Sequence, residues 1–413
     1  MPCASAYGFG EESGMSPNES FQRRPPRRKH FYSWVATDKI QLETAEKLVL
    51  KGLLYYQAKI AGLNTISTDD IRGLDDKATL VSKHRGMTDS STFRDRPDRQ
   101  QQQQPEALSF SLLPARKAAG EKEKDVLILI HGFAGGVGGW AQNWRCLAER
   151  YRVYAFDLPG FARSERRASA ATSLAEVMDY FCGYIREWFE RLNFMRPVVI
   201  LAHSFGCFVA SHYTMRHGAN CIKLLMLVEP WGLIRGSATR MKRYSLQARV
   251  LLALFHNVGL LGLLRSAGPA GPWLLRRMRP DFEEKWRTFF DDPSVIYDYL
   301  YHCNAQYPLV GEKLFKACWH YDVCAKESLL DALPGTLDQR IAVGLLFGGK
   351  SPLNSPEGAE LAALLRARGA RVCIDTLANA GHQIFTDDAA VFNEKVIEMI
   401  IDLSADSHPT FSA

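Results

Sequence analysis

Ser204 lies in the stretch LAHSFG (201–206), which departs from G-x-S-x-G only by carrying Ala202 at the first glycine position. That pattern presents a serine on a sharp strand-to-helix turn, and its glycines are needed because strand and helix approach closely there. Gly206 is intact and alanine adds one methyl at 202, so Ser204 is expected to stand in place as a nucleophile. A serine hydroxyl attacks only with an imidazole in hydrogen-bond reach. Of the eleven histidines, His382 in NAGHQIF is placed for this, because it follows the last expected strand and completes the chain order serine, acid, histidine. His203 adjoins Ser204 but points away from it on the turn and is read as structural. His131 is read as shaping the loop HGFAGGVGGW (131–140), which follows the run VLILI. The loop sets the Phe133 N–H beside the Phe205 N–H, where the two hold the negative charge that develops during acyl transfer. No metal or organic cofactor is required.

These residues need a rigid frame. The short apolar runs VLILI, YRVYAFD, PVVILA, KLLMLVE, IAVGLLFG and RVCIDTL alternate with helical patterns such as LAEVMDYFCGYIREWFERL. Strands buried on both faces and joined through helices predict an α/β fold, a mostly parallel central sheet with helices on both faces. Around it the chain divides into a disordered basic tail at 1–30, an amphipathic helical segment at 31–83 and a polar Gln-rich insertion at 84–107. The core then runs from 108 to 230 and from 336 to 403, interrupted by a helical cap at 231–335, with a C-terminal tail at 404–413. Thr37 or Asp38 is the expected N-cap of the first helix, whose apolar face is Leu42, Ala45, Leu48 and Val49. Phe31, Tyr32 and Trp34 are the residues that would enter a membrane interface there, the alternative being a helix packed on the main domain. In the cap, VLLALFHNVGLLGLL (250–264) is too short to cross a bilayer and reads as a buried helix or one resting on a lipid surface.

HGFAGGVGGW, FDLPGFARS (156–164), HSFG, LVEPWG (227–232), YHCNAQYPLVGEKLFK (301–316) and GHQIFTD (381–387) resemble the α/β-hydrolase subfamily that contains N-acylphosphatidylethanolamine lysophospholipase and the activator of adipose triglyceride lipase. The resemblance covers about 31–80 and 108–403 and implies an α/β-hydrolase fold. For the lysophospholipase branch it implies a serine esterase acting on phospholipids or lysophospholipids. For the activator branch, which carries asparagine at the nucleophile, it implies an adaptor that regulates a triglyceride lipase on lipid droplets. Ser204 matches the first branch. Lys350 and Asn379 stand where the activator branch has an arginine and a glycine. A third activity, lysophosphatidic acid acyltransfer, is linked to H-x-x-x-x-D, here His382 and Asp387. The family's aspartate position is occupied by Asn354, and an amide in place of the acid costs about ten-thousandfold in turnover in the serine-protease case. Three ways of serving His382 remain: Asn354 as orienter, Glu229 from the preceding strand, whose expected role is to anchor the cap, and Glu357 from the same loop.

The charge pattern bears on partners. The net charge is +6, but residues 231–287 hold 11 Lys/Arg against 3 Asp/Glu. With apolar neighbours and no nucleic-acid motif, this cluster points to anionic lipid and away from nucleic acid. The nine scattered cysteines and the absence of a leader pattern at Met1 predict a reducing, cytoplasmic setting, peripheral to lipid droplets or intracellular membranes. Cys318 and Cys324 flank His320 at a spacing that fits no common zinc pattern and are read as structural thiols.

Overall fold

The computed structural model describes residues 37–77, 123–236, 260–320 and 324–405. The tail at 1–30, the aromatics at 31–34, the Gln-rich insertion and most of the apolar stretch 250–264 lie outside the described residues.

The first helix, α1 (Lys39–Val49), begins at Asp38, whose carboxylate accepts from the Gln41 N–H at 2.7 Å while the Gln41 side chain accepts from the Asp38 N–H. This reciprocal cap closes two of the donors that a helix start leaves open. Leu42, Ala45 and Val49 are buried as expected, whereas Leu48 is exposed and Glu46 takes the fourth inward position. Of the segment read as helical, the described residues after α1 form, besides a short 3-10 turn at Arg72–Leu74, a β-hairpin, β1 (Tyr56–Ile60) and β2 (Leu63–Ser67). Its two-residue turn holds Ala61 at φ 50° and Gly62 at φ 77°, the left-handed pair that matches the twist of hairpin strands.

β2 extends the sheet antiparallel to β4 (Arg152–Phe156), and the others run parallel: β3 (Val126–Ile130), β5 (Val198–His203), β6 (Ile222–Val228), β7 (Ala342–Gly348) and β8 (Val372–Leu377). The order is β1-β2-β4-β3-β5-β6-β7-β8. All six apolar runs picked out in the sequence are strands, and the mostly parallel α/β architecture is the one expected. Alternate side chains of one strand feed different cores. Ile128, Ile130, Ile200 and Ala202 pack on α3 (Leu174–Leu192) and α4 (Phe205–His217). Leu127, Leu129, Val199 and Leu201 pack with α1, α2 (Ala141–Arg150) and the last long helix. Each fully buried Leu or Ile contributes roughly 1.5–3 kcal/mol.

After β6 the chain leaves the sheet for the cap: α5 (Leu260–Ser266), α6 (Gly271–Met278), α7 (Asp281–Trp286), α8 (Val295–Ala305) and α9 (Val310–Ala317). Then α10 (Leu329–Thr336) returns to the sheet, where Leu329, Leu330 and Leu333 join the core shared with α4 and α11 (Pro356–Ala367). By packing, α10 therefore belongs to the core rather than to the expected 231–335 cap. After β8 come α12 (Ile384–Asp387) and α13 (Ala389–Ala405), the long helix on the second face. Cys318 is a buried structural thiol whose S–H donates to the Leu314 carbonyl at 3.3 Å. No helix among the described residues is long and apolar enough to cross a membrane.

Candidate active site

β5 delivers the chain into a strained turn. Ser204 has φ 53° and ψ −120°, a region that a non-glycine residue occupies only when its surroundings enforce it. They do so here: the Ser204 N–H donates to the Val228 carbonyl at 3.0 Å, and the Cys207 N–H returns to the Ser204 carbonyl at 2.9 Å. A Cβ at Gly206 would collide with the backbone carbonyls of His131 and Ile130, so the second glycine is obligatory, while the Ala202 methyl is accepted inside the core.

His382 stands opposite, in the loop between β8 and α12. Its Nε2 lies 3.1 Å from Ser204 Oγ. Its Nδ1 lies 3.1 Å from Glu229 Oε2, so the carboxylate accepts from Nδ1–H and leaves Nε2 with a lone pair toward the serine. Glu229 follows β6 at φ 52° and is fully buried. Its Oε1 accepts from the Gly348 N–H at 2.5 Å and its Oε2 from the Ser351 hydroxyl, so three donors fix one carboxylate.

Of the three groups weighed for the acid, Glu229 is the one the structure sets against the ring. Asn354, at the family's aspartate position, is exposed, and both ring nitrogens of His382 are already taken by Ser204 and Glu229. The same occupancy leaves Glu357, in the first turn of α11, without a place on the ring. Glu229, expected to anchor the cap, meets the imidazole because β6 and β7 are neighbours and the Gly348 to Ser351 turn holds its side chain.

The loop after β3 closes the site from the other side. A Cβ on Gly132 would stand 2.9 Å from Ser204 Cβ, which shows how closely the loop lies against the nucleophile. Neither the Phe133 nor the Phe205 N–H has an acceptor among the described residues. Phe205 opens α4, so its N–H carries the positive end of the helix dipole. His131 shapes the loop as expected: its ring joins the Gly132 carbonyl at Nδ1 (2.7 Å) and accepts from the Leu158 N–H at Nε2 (2.8 Å). Burial pushes it down to about 4, so it stays neutral. Asp157 completes the brace by accepting from the Val137 N–H at 2.7 Å and the Arg163 N–H at 3.0 Å. Above Ser204 the walls are aromatic. Phe133 stacks on Phe315 of α9 at 4.2 Å, and Phe315 in turn meets Phe205 at 4.8 Å and Trp231 at 4.9 Å.

Two residues steady His382 from behind. The His203 ring, held well below the ordinary histidine value by burial and then by the His382 charge, joins the His382 carbonyl through Nε2 at 2.9 Å. Being structural was expected of it; touching the base was not. Asp387 accepts from the Gly381 N–H at 2.6 Å and pairs with Lys285 of α7 at 2.8 Å, so the acid of H-x-x-x-x-D braces the histidine loop and ties it to the cap. Lys350 and Asn379 are exposed. Ser351 was missed altogether, and only strand order brings it to Glu229.

The alpha/beta hydrolase family matches residues 127–395. Among curated proteins the chain is similar to 1-acylglycerol-3-phosphate O-acyltransferase ABHD5 of Rattus norvegicus, at 36% identity over 67% of this chain and 77% of that protein. It is also similar to (lyso)-N-acylphosphatidylethanolamine lipase of Bos taurus, at 31% identity over 68% of this chain and 80% of that protein. Among solved structures, naproxen esterase of Bacillus subtilis shares the fold with a TM-score of 0.50 at 12% identity, over 88% of this chain and 99% of that one.

Proposed function

The chain belongs to the alpha/beta hydrolase family, and from that premise we propose that it is a serine esterase cleaving an acyl ester of a phospholipid or lysophospholipid. The observation that carries the reading is the unbroken line from Glu229 through His382 to Ser204, with 3.1 Å at each junction. His382 takes the Ser204 proton at Nε2 as Oγ attacks the acyl carbonyl. The carbonyl oxygen, now negative, is held by the Phe133 and Phe205 N–H groups, while Glu229 stabilises the imidazolium. The imidazolium returns its proton to the departing alcohol, leaving the acyl group on Ser204. Water, activated by the same histidine, then releases the fatty acid and restores the hydroxyl.

The substrate class rests on the walls and on the relatives. Phe133, Phe315 and Trp231 give the nucleophile elbow apolar aromatic neighbours that suit an acyl chain, and the sequence's excess of Lys/Arg over 231–287 favours a phosphate headgroup. The printed names of both relatives concern acyl groups on glycerophospholipids. Membrane or lipid-droplet attachment and a triglyceride-lipase partner belong to this proposal as its setting. Asn354 at the acid position would favour the adaptor reading, and the contact of Glu229 with His382 weighs against it. Acyltransfer would need an alcohol to intercept the acyl-enzyme in place of water, and Asp387, engaged with Gly381 and Lys285, gives it no added support.

The test is labelling by a fluorophosphonate probe together with release of fatty acid from a lysophospholipid. Wild type is expected to label and turn over, and Ser204→Ala to do neither. A wild-type protein that neither labels nor hydrolyses, yet stimulates a triglyceride lipase equally well as Ser204→Ala, would overturn the proposal in favour of the adaptor.

A further inference from the structure

A cavity of about 690 Å³ opens between α1, the β1–β2 hairpin, the 162–167 loop and residues 306–308, and none of Ser204, Glu229 and His382 lines it. Its volume suits a small organic ligand. Its acids are already engaged. Asp75 accepts from the Lys59 and Lys77 N–H groups at 2.8 and 2.9 Å. Asp76 accepts from the Ala61 and Gly62 N–H groups at 3.1 and 2.9 Å and pairs with Arg191 at 2.7 Å. Glu165 takes the Tyr184 hydroxyl at 3.0 Å and Arg167 at 3.3 Å, and Glu43 takes Lys47 at 2.8 Å.

Of the lining cations, Arg163 pairs with Glu46 and Glu43 and Arg167 with Glu165, but the others are not matched in the same way. The Lys39, Lys59 and Lys77 ammonium groups make no ion pair among the described residues. Among the described residues, the Arg166 guanidinium bonds the uncharged carbonyls of Gly160, Ala162, Cys303 and Pro308. Burial, then the neighbouring Lys39 and Arg163 charges, hold the Lys59 ammonium below the ordinary lysine value, although the Glu165 and Asp76 carboxylates oppose the shift.

We propose that this cavity is a binding site for a phosphate monoester, seated on Lys39 and Lys59, with the Arg166 charge adding to the field. A dianion with three acceptor oxygens answers several separated cations where a single carboxylate would not. The site is independent of the catalytic reading and of whether Ser204 reacts.

Calorimetric titration of the full chain with glycerol 3-phosphate at low ionic strength tests it, with glycerol as the uncharged control. Vesicles of phosphatidylcholine with and without phosphatidate test whether the monoester belongs to a lipid. Saturable binding of glycerol 3-phosphate and none of glycerol is expected, weakened about tenfold or more in Lys39→Gln/Lys59→Gln by loss of two charge-assisted contacts. The variant should keep the wild-type Tm without ligand, because the Lys59 N–H bond to Asp75 is untouched. Arg145→Gln/Arg150→Gln, exposed on α2 and outside the cavity lining, should bind as wild type does. Binding to phosphatidate vesicles alone, lost in the lysine variant, would identify the monoester as a headgroup. Absence of binding to either probe, or binding that the lysine variant leaves intact, overturns the proposal.

Discussion

Replacing the Glu229 carboxylate by an amide would keep its shape and forfeit its charge, so Glu229→Gln separates orientation from electrostatics at His382. In the serine-protease case the same exchange costs about ten-thousandfold in kcat, and a loss of that order with KM little changed is expected in steady-state ester hydrolysis. Asn354→Asp is expected to leave kcat within a few-fold of wild type, because residue 354 is exposed and the ring has no free nitrogen to offer it. A large gain in Asn354→Asp would mean that the acid is not Glu229. Ser351→Ala removes one of three donors to the carboxylate. A loss of about 1–3 kcal/mol in transition-state stabilisation, read as kcat, is the expected cost. At this scale Ser204 and His382 were legible from local spacing, but the acid was not. Its position along the chain pointed to residue 354, whereas its position in space depends on β6 lying beside β7, which no local stretch encodes.

The elbow depends on two residues with opposite tolerances. Ala202→Gly is expected to keep activity close to wild type, since the methyl already fits the core. At Gly206 an added Cβ meets two backbone carbonyls that cannot rotate away. Gly206→Ala should therefore destabilise the fold by about 1–3 kcal/mol and reduce labelling of Ser204 by a fluorophosphonate probe in the fraction that remains folded. Equal labelling and equal urea midpoints in the two variants would contradict this close approach. The same contrast explains which elements were readable. β3 to β8 are apolar runs bounded by helices, and α3 carries its own capping box at Ser173 and Glu176, so pattern and cap agree. The hairpin was hidden because LVLKGLLYY runs on from α1 with no Asn-Gly or Asp-Gly to mark the turn. Its Ala61-Gly62 pair is a weak signal that becomes decisive only once β2 is paired with β4.

Over the whole molecule, the titratable groups set a pH dependence whose sign can be worked out. Burial pushes His131, His212 and His302 down to about 4, and His203 well below its ordinary value. Between about pH 6.5 and 4 the unfolded chain therefore binds protons at these sites that the folded chain refuses. Each histidine removes up to about 1.4 kcal/mol of stability per pH unit of acidification. Glu46 acts oppositely: burial, then the charge of Asp157, raises it to about 7. Its contribution is fully present below about pH 4.5 and is lost as pH rises through 7. Asp157, also raised by burial, has the same sign. Four histidines outweigh two carboxyls, so urea midpoints are expected to fall steeply from pH 6.5 to 5 and to decline only gently from 6.5 to 8. His302→Gln, which keeps a polar group near Thr37, should flatten the acid limb, whereas Glu46→Gln should flatten the alkaline one. A chain whose midpoint rises on acidification from 6.5 to 5, or whose acid limb is unchanged in His302→Gln, would show that these imidazoles do not stay neutral in the folded protein.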